Sequence, residues 1–238
     1  MKLGIIADAH GNPRALELCL RVLERLEADK IYFLGDAVGY LPGANEVLNI
    51  LRVTPVQCQK GNHEAMLLGE LPLPDEKDRV YRIESARERI SQANLEFVQN
   101  WPKSREVCVN GRKIFLVHGS LKDYLEGYVY PEGDFNFVNN CSYDAIFVGH
   151  THYPFVFDRQ GTQVVNVGSC GLPRDQGNLS SFATYDACAH HTEILRVPFD
   201  SRKIIGSFQR ILIAQEVIDC FNRRSAKPFG LRVNVDIL

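Results

Sequence analysis

Five of the seven histidines in this chain lie at the ends of short apolar runs, in segments that also contain glycine, aspartate or asparagine. The segments are Asp8-Ala9-His10, Gly61-Asn62-His63-Glu64, Val117-His118-Gly119 and Gly149-His150-Thr151-His152, together with Gly35-Asp36. Their side chains offer imidazole, carboxylate and amide groups without a thiolate. Such a donor set suits Mn, Fe, Zn, Ni or Co better than Ca or a soft metal. The pattern therefore predicts a transition-metal site.

The spacing within two of these segments suggests how the side chains are aimed. Asp8 and His10 are two residues apart after a predicted strand, and His150 and His152 repeat that spacing. In an extended segment, residues i and i+2 point to the same side, so each pair is expected to face one ion. Any one histidine alone is more often structural. Asp8 and Asp36 could each only cap a turn, but the whole set is difficult to explain in that way.

Charge counting indicates the kind of ligand that such a site attracts. Two divalent ions would bring four positive charges, of which Asp8 and Asp36 neutralise two. The other candidate ligands are neutral: His10, Asn62, His118, His150 and His152. A filled site keeps about two positive charges, which favours a phosphate ester over a cation, and ions ~3.5–4 Å apart can stabilise the attacking and leaving oxygens of a displacement at phosphorus.

The elements that must position these residues alternate between strand and helix. Apolar runs predict strands over 3–7, 31–34 and 55–59, with helices from Asn12-Pro13 and over 44–51 between them. This order implies parallel pairing with right-handed crossovers. Further strands are predicted over 106–109, 113–117, 145–148, 155–158, 163–166, 181–186 and 192–197, with a final helix over 202–223. The expected fold class is α/β, with two packed sheets and outer helices.

Composition limits the organisation of the chain and its partners. The 238 residues are expected to form one domain over 1–238, with a charged helical insertion at about 70–104 that lies over one edge of a sheet. A solvated face is the expected role of that insertion, and a substrate role is the alternative. The net charge of -2 gives no attraction to genomic nucleic acid or to an anionic membrane. The oligomeric state is left open.

The predicted location is the cytoplasm. The apolar run at the N-terminus ends at Asp8 and is too short for a signal peptide or a membrane span. The seven cysteines have no regular spacing, which favours a reducing compartment.

The order of the motifs resembles the calcineurin-like metallophosphoesterase superfamily. Its small prokaryotic branch includes uncharacterised phosphodiesterases and asymmetric diadenosine tetraphosphate hydrolases. The segments most similar to that branch are 35–40, 117–120, 149–154 and 168–175. The resemblance implies a four-layer α/β/β/α sandwich of two packed mixed sheets, with metals between loops at one edge.

The resemblance also implies a role for each site residue. One ion would be held by Asp8, His10, Asp36 and His152, and the other by Asp36, Asn62, His118 and His150. Asp36 would bridge them, and His63 would protonate the leaving oxygen without binding metal. The implied cofactor is two divalent transition-metal ions, with manganese as the first expectation and iron, nickel, zinc or cobalt as alternatives.

The sequence departs from the family around Tyr40. Protein phosphatases carry Asp-Arg-Gly where this chain has Gly39-Tyr40-Leu41. The arginine that binds phosphate in those enzymes is therefore missing here, and so is the acid that would orient His63. A protein phosphatase is therefore disfavoured. Tyr40 and Arg174 are predicted to contact substrate. Tyr124, Tyr128 and Tyr130 could also stack a base, although tyrosines in loops could equally serve only to pack them.

The expected function is a dinuclear-metal-dependent phosphoesterase in which a metal-activated hydroxide attacks phosphorus. A phosphodiester or nucleotide is the first expected substrate, with a dinucleoside polyphosphate among the possibilities. A small phosphomonoester is the second. A non-catalytic metal-binding scaffold of the same fold is the alternative from another class, and the complete ligand set together with His63 argues against it.

Overall fold

Two mixed sheets form the centre of the computed structural model, which describes residues 1–208 and 213–233. In spatial order, the first sheet contains β11 (Leu231–Arg232), β10 (His191–Pro198), β9 (Leu179–Asp186), β1 (Lys2–Ile6), β2 (Lys30–Phe33) and β3 (Val56–Cys58). The strands β1, β2 and β3 are parallel, whereas β1 and β9 are antiparallel. The predicted α/β fold with two mixed sheets is thus confirmed.

The parallel half of the first sheet is built by two crossover helices, α1 (Pro13–Arg25) and α2 (Ala44–Val53). Asn12 caps α1, because its side-chain oxygen accepts a hydrogen bond from the Ala15 amide at 3.2 Å, and Pro13 occupies the first helical position. Proline fits there since that amide has no partner within the helix. The sequence-based start of this helix is confirmed.

The second sheet contains, in spatial order, β4 (Ser104–Val109), β5 (Arg112–Val117), β6 (Ala145–Val148), β8 (Thr162–Asn166) and β7 (Phe155–Arg159). A tight turn at Asn110-Gly111 joins β4 to β5, and both residues have positive φ angles of 50° and 79°. Asparagine and glycine tolerate that backbone, which is the conformation that two-residue hairpins require. The two strands predicted over 106–109 and 113–117 therefore form an antiparallel hairpin.

The main core lies between the two sheets. Leu3, Ile5 and Tyr32 of the first sheet pack in one cluster with Leu116 and Phe147 of the second. A second cluster joins the other face of the first sheet to α1 and α2. The outer face of the second sheet is covered by the segment 121–143, which contains a 3₁₀ helix (Asn136–Asn140).

Three short helices follow β3 and α3 (Asn62–Leu67): α4 (Asp75–Tyr81), α5 (Ile83–Arg89) and α6 (Gln92–Gln99). Ile83 and Val98 are fully buried in the cluster that contains α2, whereas α4 buries none of its residues. The charged segment is therefore largely solvated, and it is anchored on the helical side of the first sheet.

The predicted final helix over 202–223 is wrong as a single element. The structure has α7 (Ser201–Ser207) and α8 (Gln215–Asn222), while residues 209–212 of the prediction lie outside the described residues. Ala214 is extended, with φ -62° and ψ 143°, and α8 begins anew after it. Val217, Cys220 and Phe221 then bury one face of α8, which the break allows to pack independently of α7.

Across the ranges 1–208 and 213–233, no helix has both the length and the apolar character needed to cross a membrane.

Asn94 is expected to anchor the helical segment. It is fully buried, and its amide nitrogen donates to Asn45 Oδ1 at 2.8 Å and to Asn49 Oδ1 at 2.9 Å, which ties α6 to α2. Asn94→Ala removes the buried donor that both oxygens share and should lower the free energy of unfolding by about 1–3 kcal/mol in urea titrations. The control Asn100→Ala removes an exposed amide at the C-terminal end of the same helix and should change it by less than about 0.5 kcal/mol. Equal losses in the two variants would contradict the anchoring role.

Candidate functional site

The seven predicted metal ligands meet at one edge of the molecule, in loops that follow the C-terminal ends of strands. Asp8 and His10 follow β1, Asp36 follows β2, Asn62 begins α3 after β3, His118 follows β5, and His150 and His152 follow β6. None of the seven is more than 8% exposed. Both sheets therefore contribute polar groups to one buried centre.

Five of these residues have a left-handed backbone. The φ angles are 58° at Asp8, 46° at His10, 60° at Asp36, 65° at His150 and 63° at His152. This conformation costs of order 1–3 kcal/mol for a residue with a side chain, and such residues cluster at functional sites. The expectation that both i, i+2 pairs are extended is wrong, because tight turns aim these side chains.

His10, Asp8 and His152 form the first of two groups. His152 Nε2 lies 2.9 Å from His10 Nε2 and 3.3 Å from Asp8 Oδ1. The Nδ1 atoms donate hydrogen bonds to backbone carbonyls, from His10 to Val38 at 3.2 Å and from His152 to Leu172 at 2.7 Å. With the proton on Nδ1, each Nε2 carries a lone pair. The 2.9 Å contact therefore brings two acceptors together.

His118 lies at the centre of the second group. Its Nε2 is 3.0 Å from Asn62 Oδ1, 3.2 Å from His150 Nδ1 and 3.4 Å from Asp36 Oδ2. Its Nδ1 donates to the Leu34 carbonyl at 3.1 Å, which again leaves a lone pair on Nε2. His150 therefore turns to a different group from His152, and the second i, i+2 pair does not face one point.

Asp36 lies between the two groups. Its Oδ2 is 3.7 Å from His10 Nε2 on one side and 3.4 Å from His118 Nε2 on the other. Its Oδ1 accepts a hydrogen bond from the His63 amide at 2.9 Å, which fixes the carboxylate plane. One oxygen of one side chain thus reaches both groups.

The two aspartates differ in their pKa values. Burial raises the pKa of Asp36 well above its usual range, and the nearby charges of Glu64 and Asp8 raise it further. Burial alone would also raise the pKa of Asp8, but the adjacent His152 and the neighbouring His10 and His118 hold it well below its usual range. The pKa values of the two aspartates are therefore shifted in opposite directions.

Three of the imidazoles are neutral at neutral pH. Burial lowers the pKa of His118 and of His152 to about 3, and that of His150 to about 4. Neutral imidazole is the form that binds metal. The site is therefore ready to supply nitrogen lone pairs throughout the neutral pH range.

The arrangement fits a bound cation better than it fits further hydrogen bonds. Asp8 Oδ1 and His150 Nε2 are buried without a hydrogen-bond partner in the part of the chain that the structure describes. Ligand atoms ~2.0–2.2 Å from an ion lie roughly 3–3.5 Å from one another, which matches the contacts in both groups. Convergent acceptors at these distances repel each other unless positive charge lies between them.

His63 lies beside these groups and is held by aromatic rings. Its Nε2 is 3.8 Å from Asp36 Oδ2, and its ring lies 5.1 Å from that of Tyr40 and 4.5 Å from that of Tyr81. Within the described residues its Nδ1 has no hydrogen-bond partner, in agreement with the missing acid. A Cβ at Gly39, where φ is +90°, would come within 2.1 Å of that Nδ1, so only glycine leaves room for the ring.

Tyr40 and Arg174 both line the small pocket over the metal-binding groups, a cavity of about 20 Å³. The Arg174 guanidinium donates a hydrogen bond to the Tyr40 hydroxyl at 3.1 Å. The chain therefore brings a positive charge to this pocket from a loop distant in sequence, although the arginine of the protein phosphatases is missing.

Only some of the candidate tyrosines in the loop after His118 lie near the pocket. Tyr128 lies 4.4 Å from the His150 ring and lines the same pocket, whereas Tyr124 packs against Phe115 away from it. Tyr81 also lines the pocket and had no counterpart among the sequence-based candidates. Its position at the end of α4 depends on tertiary packing, which no local pattern reveals.

Glu64 is a second residue whose role the sequence analysis missed. Its fully buried carboxylate accepts hydrogen bonds from the amides of Gly61 at 2.8 Å, Asp36 at 2.7 Å, Ala37 at 2.7 Å and Val38 at 3.3 Å. It thereby joins the loop after β2 to the start of α3. The spacing from Gly61 to Glu64 is the available signal, because acids commonly bond back to the start of a helix.

Asn166 and Ser169 support the site from the back. Asn166 Nδ2 donates to the Gly149 carbonyl and to Thr151 Oγ1, both at 2.8 Å, and Ser169 Oγ donates to the Asp8 carbonyl at 2.7 Å. These bonds hold the loops that carry Asp8 and the two histidines after β6.

Comparisons with known proteins agree with this geometry. Residues 1–190 match the family model of the calcineurin-like phosphoesterase superfamily domain. An uncharacterized protein of Methanocaldococcus jannaschii is 30% identical over 218 residues, which cover 84% of this chain and 89% of that protein.

Two solved structures have a similar fold. A metallophosphoesterase from Sphaerobacter thermophilus has a TM-score of 0.76 at 25% identity and covers 93% of this chain and 98% of its own. A hypothetical protein from Pyrococcus horikoshii OT3 has a TM-score of 0.80 at 22% identity, with 92% of this chain and 97% of that chain covered, and shares the fold.

Metal binding is expected to compete with a proton on Asp36, whose pKa is raised above its usual range. The pKa values of His118 and His152, about 3, and of His150, about 4, keep these three rings neutral at neutral pH. The apparent affinity for Mn²⁺ should therefore fall as pH falls through the raised pKa of Asp36, by at most about tenfold per unit for one carboxylate. Calorimetric titration at several pH values measures this slope. A loss of a thousandfold per unit would show that several imidazoles are protonated, and a flat profile would show that Asp36 is already ionised.

Proposed function

The chain belongs to the calcineurin-like phosphoesterase superfamily and is a metal-dependent phosphoesterase, and we propose that it hydrolyses a phosphodiester or nucleotide at a two-metal centre. The observation that carries this proposal is the position of Asp36 Oδ2, between the two groups of converging acceptors. One carboxylate within reach of both groups is what a bridged pair of ions requires.

The ligands divide between the two groups as follows. Asp8, His10 and His152 with Asp36 would hold one ion, and Asn62, His118 and His150 with Asp36 would hold the other. We infer manganese first, because nitrogen and oxygen donors without thiolate suit it, with iron, nickel, zinc and cobalt as alternatives. When bound, the ions supply positive charge that stabilises the transition state and activates water as the nucleophile.

His63 is proposed to donate a proton to the leaving oxygen from Nε2, the ring nitrogen that faces the metal-binding groups. Burial, together with the surrounding imidazoles, holds the pKa of His63 well below its usual range. A phosphate ester brings negative charge next to the ring, and this charge favours the protonated form. The ring contacts with Tyr40 and Tyr81 keep the imidazole in place without an acid.

Arg174 is proposed to bind a phosphate oxygen. Its guanidinium lines the same pocket as His63 and Asn62, and the Tyr40 hydroxyl fixes its direction. A guanidinium offers several N–H donors in a plane and suits phosphate recognition. The cavity of about 20 Å³ has room for little more than one phosphate oxygen, so the organic arm must lie outside it.

This geometry favours a diester or nucleotide over the alternatives. The tyrosines beside the opening provide faces for an organic arm, which a small phosphomonoester lacks. A non-catalytic scaffold would not need His63 in addition to a complete set of ligands. Turnover of phosphodiesters, nucleotides and phosphomonoesters by the metal-loaded protein tests the proposal, and hydrolysis of phosphoserine peptides faster than any nucleotide would overturn it.

Asp36→Asn should reduce metal content from two ions to one or none per chain. The change keeps the shape of the side chain but removes the negative charge that both ions would share. Elemental analysis of the purified variant measures the stoichiometry. Asp158→Asn, an exposed aspartate on β7, is the control and should keep the wild-type content. Two tightly held ions in Asp36→Asn would rule out the bridging role.

His63→Gln should leave metal content near the wild-type value and lower kcat by roughly 10²–10⁴, the usual range for a general acid. The loss should be smaller for a nitrophenyl leaving group than for an alkyl one, because nitrophenolate leaves without protonation. His191→Gln replaces an exposed histidine outside the site and serves as the control. If metal content falls with activity, His63 is a ligand, and equal losses for both leaving groups exclude the proton-donor role.

A further inference from the structure

A cleft of about 500 Å³ adjoins the pocket over the metal-binding groups, and its volume is in the range of small-molecule sites. The two cavities share Tyr40, Tyr81 and Arg174 as lining residues. A phosphate ester with one phosphate oxygen in the small pocket therefore has an adjoining space for its organic arm. The far side of this cleft is formed by α8, which has no part in metal binding.

Aromatic rings line the way from the metal-binding groups into the cleft. Tyr128 lies 4.4 Å from the His150 ring and stacks on Tyr130 with ring centres 5.8 Å apart and planes within 1°. Tyr130 in turn lies 6.2 Å from Tyr153. Tyr130 remains 40% exposed although it is large and apolar. Such exposed faces are suited to stacking a flat ring from a ligand.

The charges around the cleft balance. Arg174 and Arg223 provide two positive charges, and Glu216 and Asp219 on α8 provide two negative charges. Glu216 also pairs with Arg79 at 2.5 Å, outside the lining. Only Arg174 is shared with the small pocket, so the positive charge available to phosphate is concentrated there. The rest of the cleft lining has one positive charge, Arg223, against the two carboxylates of Glu216 and Asp219, so it offers no excess of positive charge to a further row of phosphates.

We propose that this cleft binds a nucleoside arm esterified directly to the scissile phosphate, with the base stacked on Tyr130 or Tyr153. This inference rests on the proposed phosphoesterase function and narrows its substrate to nucleoside phosphodiesters. A polyphosphate bridge would extend two or more negative charges past Arg174 towards Glu216 and Asp219. The dinucleoside polyphosphate is therefore the less favoured substrate.

The first test measures binding without turnover. Calorimetry compares AMP with methyl phosphate on the manganese-loaded full chain, since both carry the same phosphate group and differ only in the organic arm. AMP should bind more tightly by about 5- to 150-fold, the range expected for one or more stacked faces. Tyr130→Ala and Tyr153→Ala should each reduce this ratio.

Tyr124→Ala is the matched control. Tyr124 is 41% exposed, close to the 40% of Tyr130, but it packs on Phe115 and lines neither cavity. Its removal should leave the ratio between AMP and methyl phosphate unchanged. Equal binding of the two ligands by the wild-type chain, or a ratio that neither cleft variant changes, would overturn the inference.

The second test compares adenylyl-adenosine with diadenosine tetraphosphate, which both end in adenosine and differ in the bridge. The monophosphate-bridged ester should have the lower KM, by about tenfold or more, and the reverse order would overturn the inference that the cleft binds an uncharged arm. KM is compared because the tetraphosphate is an anhydride, whose better leaving group raises kcat by itself. Hydrolysis of 4-nitrophenyl phosphate with no preference for AMP in binding would leave the phosphoesterase function standing and the cleft inference refuted. A preference for AMP without hydrolysis of any ester would support the cleft and refute the proposed function.

Discussion

Convergence of lone pairs at one buried point is the constraint on which this structure depends. The backbone carbonyls of Val38, Leu34 and Leu172 each accept a hydrogen bond from the Nδ1–H of a histidine, which directs its Nε2 towards the centre. The carbonyls thereby select the tautomer as well as the direction of each ring. The centre that results is unfavourable by itself, because its acceptors face one another, and it becomes favourable when cations are present.

Several residues of this centre have a strained backbone, and hydrogen bonds from neighbouring residues offset that strain. The candidate ligands after β1, β2 and β6 are themselves in the left-handed conformation, which is costly without supporting hydrogen bonds. Glu64 supplies much of that support by accepting amides from the loop after β2 and from the start of α3. A buried carboxylate with no direct contact to a phosphate thus governs where Asp36 and Asn62 lie.

The sequence predicted the fold class and the residues that meet because both depend on local signals. Apolar runs ending in glycine locate the strands, and the C-terminal ends of parallel strands share one edge. The spacing of His150 and His152 wrongly suggested one shared ion, because both residues have positive φ angles and lie in different groups, as the family resemblance implied. Tyr81 and the break before α8 depend on packing between distant segments, which spacing along the chain does not encode.

The origin of the ligands in two different sheets has a mechanical consequence. Asp8, His10 and Asp36 belong to loops of the first sheet, whereas His118, His150 and His152 belong to loops of the second. Away from the site, a large cluster of apolar side chains lies between the sheets. An ion bound by both sets of ligands would also link the two sheets at the end where these loops meet. Metal affinity and the resistance of the sheets to separation are then two measures of one free energy.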